Sequence, residues 1–176
     1  EVRLGASGKT PGIGDLLSLT GRQYLYQLPW YVFIGAPGSG KTTALINSGL
    51  QFPLAKRFGT DAISGVGGTR NCDWWFTDEA VLLDTAGRYT MQESDREVDS
   101  AAWNGFLQLL KKFRPRRPIN GIILTISIAE LLQQSLSERE AHAATLRARI
   151  KELHDQFSIQ FPIYVLVTKC DLLSGF

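Results

Sequence analysis

"WYVFIGAPGSGKTTA", residues Trp30–Ala44, decides how the rest of the chain is read. Trp30–Ile34 is an unbroken apolar run entering Gly35, as a buried strand does. Glycines then recur at 35, 38 and 40, and the run from Lys41 to about Gly49 favours a helix. Gly35 and Gly40 stand five positions apart, with Lys41 and Thr42 immediately after. This is the pattern of a loop whose backbone N–H groups turn inward on a phosphate chain, with glycine wherever a side chain would collide. "GASGKTPGIG" at Gly5–Gly14 repeats Gly-Lys-Thr, but Arg3 stands where its first glycine is required. No strand precedes that copy, and Pro11 follows it at once, so it is read as a decoy. The expected phosphate loop is Gly35, Ala36, Pro37, Gly38, Ser39, Gly40, Lys41, Thr42 and Thr43. Lys41 is expected to reach the terminal phosphates of ATP or GTP as a catalytic residue, and the Thr42 hydroxyl to ligate Mg²⁺.

Strands and helices alternate outward from this loop. "NCDWWFTDEAVLLDTAG" predicts two strands joined by a tight turn at Asp78-Glu79, the second strand fully buried. A helix is expected over 94–113, ended by the proline-studded "RPRRP", then a buried strand over Gly121–Ile128. Apolar residues at 136, 143, 146, 150, 153 and 157 predict one long helix over 129–157. "FPIYVLVTKCD" closes as another buried strand entering a polar loop. The fold class expected is α/β, a mostly parallel sheet with one antiparallel hairpin strand. Residues 1–28 read as a lead segment with a possible short helix, 29–176 as the domain, and 54–70 as a loop.

Two further motifs fall at the carboxyl ends of predicted strands, where open parallel sheets bind ligands. "DTAG" resembles the switch box of Ras-like GTPases, with Asp84 behind Mg²⁺ and the Gly87 N–H near a γ-phosphate. "TKCD" is similar to the box that reads guanine, which places Thr168, Lys169 and Asp171 at the base. Thr168 stands where Asn is commoner. Thr69, between the motifs, reads either as a switch threonine or as part of a glycine-rich loop. Arg88 occupies the place where small GTPases carry a water-orienting Gln. A guanidinium stays protonated and cannot act as a base. It is expected either to stabilise the transferring phosphoryl, with slow turnover, or to lie on the surface.

Four segments together resemble the IcmF/TssM family of bacterial type VI secretion: "LPWYVFIGAPGSGKTTAL", "GTRNCDWWFTDEAVLLDTAGRY", "RPRRPINGIILTISIAELL" and "FPIYVLVTKCDLLSGF". The resemblance implies a P-loop NTPase of the Ras-like type on the cytoplasmic face of the inner membrane, anchored through segments outside this chain. It implies a TssL/DotU-type inner-membrane partner and other secretion components. It further implies that a complete domain adds a last helix and strand beyond Phe176. Two functions stay open: an NTPase that couples its switch loops to the apparatus, and an adaptor that binds nucleotide without turnover.

Composition narrows the rest. A net charge of +2 gives no reason to expect a nucleic-acid partner. Cys72 and Cys170 make no disulfide framework, and the longest apolar runs are far short of the ~20 residues of a membrane span. One of Trp74 and Trp75 is expected in the core and the other as an exposed contact. Arg114, Arg116 and Arg117 are expected in a solvated loop, or against lipid headgroups.

Overall fold

A computed structural model describes residues 24–52, 72–91 and 96–176. Five strands form one sheet: β1 (Trp30–Ile34), β2 (Cys72–Phe76), β3 (Val81–Thr85), β4 (Gly121–Ser127) and β5 (Ile163–Thr168). Their order is β2-β3-β1-β4-β5, parallel throughout except for the β2–β3 hairpin. The α/β class and the single antiparallel strand stand as the sequence predicts. Because β1, β3, β4 and β5 run the same way, Ile34, Thr85, Ser127 and Thr168 end at one rim.

The helices are α1 (Lys41–Ile46), α2 (Gly87–Met91), α3 (Arg96–Phe113), α4 (Ile128–Gln133) and α5 (Leu136–Phe157). One face of the sheet carries the larger core. Trp103, Leu107 and Leu110 of α3 and Leu146, Leu153 and Phe157 of α5 close on Val32, Leu83 and Ile122. Acidic residues open α3 and Lys111 and Lys112 close it, which suits the helix dipole. The second face has a smaller core of Phe33, Leu45, Trp75 and Leu82. Beside α1 it leaves a groove of about 530 Å³ lined by Tyr31, Phe33, Leu45, Ile123, Tyr164 and Leu166.

Four expectations change. The helix expected over 129–157 is two: Ser135 accepts from the Glu138 N–H while the Glu138 carboxylate accepts from the Ser135 N–H, so a capping box starts a new helix there. β5 is not buried, since among the described residues it bonds only to β4 and exposes Ile163, Tyr164, Val165 and Val167. Neither tryptophan of the pair is an exposed contact: Trp75 is buried, and Trp74 is half-buried with its ring edge-on to Trp30. Arg114 is not solvated. Its guanidinium lies over the rings of Tyr26 and Trp30 and donates to Asn120 Oδ1, and burial lowers its pKa to about 10. Arg116 and Arg117 are exposed as expected. The Gly5–Gly14 repeat and the whole 54–70 loop, Thr69 included, lie outside the described residues.

Candidate functional site

The turn after β1 has the backbone its glycines predict. Gly38 and Gly40 have φ of 71° and 87°, values that other residues adopt with strain. Gly40 caps α1, so the chain reverses from loop to helix at Lys41. Gly35 has a different reason: a Cβ there would lie 2.6 Å from the Thr125 carbonyl oxygen. Lys41 is only 6% exposed, and its ammonium donates to the Gly35 and Ala36 carbonyls at 2.9 Å each. Burial pulls its pKa below the usual lysine value, with the fields of Asp84 and Glu130 opposing that pull. Among the described residues, buried Ser39 finds no hydrogen-bond partner for its hydroxyl oxygen, and the Thr125 hydroxyl is in the same condition.

β3 delivers the second part. Parallel pairing sets Asp84 beside Phe33, the last residue but one of β1, and its side chain is fully buried. The Thr42 hydroxyl donates to Asp84 Oδ2 at 2.5 Å, which joins residues 42 positions apart. Gly87 follows at the start of α2. A Cβ on it would lie 2.3 Å from the Pro37 nitrogen, so the DTAG turn rests directly on the phosphate loop. Arg88 forms an ion pair with the buried Asp99 of α3, Nε to Oδ1 at 3.4 Å, and lies over the Tyr89 ring.

The third part comes with β5. Thr168 donates its hydroxyl to the Ser39 carbonyl at 2.6 Å, with the Ile126 carbonyl at 3.3 Å, and its side chain sits against Gly40. Thr168 thus fastens the TKCD turn to the loop. Lys169 pairs with Glu130 of α4, and Asp171 lies exposed in a single 3₁₀ turn over Cys170–Leu172. Three segments remote in sequence therefore meet at one rim. The IcmF-related N-terminal domain family matches residues 96–176. "Type VI secretion system component TssM1" of Pseudomonas aeruginosa is 66% identical over 155 residues, covering 88% of this chain and 14% of that protein.

The chain belongs to the IcmF/TssM family. It spans about one-seventh of that relative's length. No described helix is long and apolar enough to cross a membrane.

Within this family member, the donors at the rim suit Mg²⁺. A hydroxyl and a carboxylate are already side by side, both hard oxygen ligands, and Mg²⁺ takes one or two carboxylates while keeping waters and phosphate oxygens. Among the described residues no cluster of three or more His, Cys, Asp or Glu competes as a metal cage.

Sequence reasoning missed three residues here. Thr90 of α2 accepts from the Gly35 N–H at 3.3 Å and ties the DTAG helix to the loop's first glycine. Asp99 holds Arg88, and Glu130 holds Lys169. None belongs to a motif. Only the capping signal Ser127-x-x-Glu130 could have drawn attention to Glu130.

Proposed function

We propose that this part of the chain is a P-loop NTPase domain of the Ras-like type that binds Mg²⁺ with ATP or GTP and hydrolyses it slowly. The observation that carries the reading is the pairing of Thr42 with Asp84 beside a lysine folded into its own loop. Lys41 rests on two carbonyls that a phosphate chain can replace, so its charge is available without a large rearrangement. Gly38 and Gly40 turn the backbone about the phosphates, and Ser39 offers a hydroxyl. Thr42 and Asp84 hold Mg²⁺, which when bound neutralises charge on the phosphates. Gly87 and Thr90 link the loop to α2, so a change at the γ-phosphate end has a direct path to that helix. Thr168, Lys169 and Asp171 face the nucleoside end, and Thr69 remains a candidate switch residue.

On this proposal the domain works at the cytoplasmic face of the inner membrane. There it acts beside a TssL/DotU-type protein and other secretion components, coupling nucleotide state to the conformation of the apparatus. The test is phosphate release with Mg²⁺ and each nucleotide. Release that falls to background in Lys41→Ala supports hydrolysis at this loop, and release that persists refutes it.

The Arg88–Asp99 pair favours a second reading, an adaptor that binds nucleotide without turnover. An arginine engaged by a buried carboxylate is not free to meet a phosphoryl group. Binding without phosphate release, unchanged in Arg88→Ala, would select this reading.

A further inference from the structure

Glu130 lies in the first turn of α4, where its N–H donates to the capping hydroxyl of Ser127 at 3.3 Å. Two observations bring its carboxylate to the rim. Its Oε1 is 2.5 Å from Lys169 Nζ, and its field reaches Lys41, where it favours the charged ammonium. The other end of the pair is anchored as well. Lys169 has a φ of 58°, an uncommon value for a residue with a side chain, and Thr168 before it is fastened to Ser39. Lys169 therefore stretches between two fixed points: its Cα in the turn after β5 and its ammonium at the foot of α4. Its methylene stem bridges those elements beside the phosphate loop.

An ammonium in this position has two possible partners. Released from Glu130, it is a mobile charge that attracts any polyphosphate, whatever the phosphates carry. Held by Glu130, its charge is balanced and its apolar stem is presented to the group attached at the far end of the phosphates. A flat heteroaromatic ring packs on such a stem, as long cationic side chains cover apolar surface while keeping the head group satisfied. The carboxylate also repels additional phosphate near the rim, so the same residue lowers the attraction of bare anions.

We propose that Glu130 is a positioning residue that sets specificity: acting through Lys169, it makes the site prefer a nucleoside triphosphate over a bare polyphosphate. This rests on the nucleotide-binding reading above. The test is calorimetric titration of the purified full-length protein with Mg²⁺ and ATP, GTP or inorganic tripolyphosphate. Wild type is compared with Glu130→Gln, Lys169→Met and the double variant. Glu130→Gln should lower the preference for the better-bound nucleotide over tripolyphosphate by about fivefold, the upper end for a half-exposed ion pair. Affinity for tripolyphosphate should stay level or rise. In the Lys169→Met background the same change should leave the preference unmoved. A purely structural role would weaken both ligands alike, and an unchanged preference overturns the proposal, as does a shift that persists without Lys169. A wild type that binds tripolyphosphate and nucleotide equally overturns it while leaving the phosphate loop's role intact. A wild type that binds neither overturns the nucleotide-binding reading itself, and this proposal with it.

Discussion

Val81–Thr85 and Ile163–Thr168 are both short apolar runs that lead into residues of the candidate site, yet they end in opposite environments. β3 lies between β2 and β1, all five of its residues are buried, and Asp84 is held where water cannot compete for it. β5 has one neighbour among the described residues, and Val165 is 60% exposed. An apolar run states that its side chains favour cover. Whether cover arrives depends on strand order, which is set by contacts remote in sequence. The rim draws on both kinds of support: the Asp84 carboxylate on a central strand, and the TKCD turn after an edge strand, which Thr168 fastens to the loop.

Substitutions sharpen the contrast, beginning with the largest effect. Leu83→Ala on β3 should cost about 3–4 kcal/mol in chemical denaturation, because a fully buried leucine leaves a cavity in the core beneath α3 and α5. Gly87→Ala should cost about 3 kcal/mol, the upper range for overpacking, since the new Cβ meets loop backbone rather than a flexible side chain. Thr168→Val should cost about 1 kcal/mol, the usual net worth of one hydrogen bond. It should also loosen the base-side turn, seen as faster amide exchange across residues 169–172. Val165→Ala on β5 should fall within about 0.5 kcal/mol of wild type, as exposed positions do. Equal losses at Leu83 and Val165 would break the comparison.

The buried loop lysine adds a pH signature. Desolvation holds its pKa below the usual lysine value, so it loses its positive charge at lower pH than a solvated lysine. Affinity for a triphosphate should therefore decline as pH rises, beginning below the ordinary lysine range, as a titration series of dissociation constants would show. In Asp84→Asn, which removes the first field opposing deprotonation, the decline should begin at lower pH still.

What could be read from the residues divides along the same line. The backbone of the glycine-rich turn after β1 was legible because its demands are local: glycines where φ is positive, a strand before and a helix after. The need for glycine at 87 was legible from the DTAG pattern, but for the backbone of Pro37 beside it no sequence signal exists. The break before α5 was legible in principle, since Ser135-x-x-Glu138 is a capping box, but the long apolar period masked it. The exposure of β5, the burial of Arg114 between two rings, and the partners Asp99 and Glu130 were not legible. Each depends on which elements the fold brings together.

Equilibrium binding of nucleotide with Mg²⁺ tests the central claim most directly. ATP or GTP at a hundredfold over its dissociation constant should stabilise the protein by about 2.7 kcal/mol. That gain should disappear in Lys41→Ala and lose its Mg²⁺ dependence in Asp84→Asn. If neither nucleotide raises the stability of the wild-type protein, the loop, β3 and the TKCD turn do not form one triphosphate site.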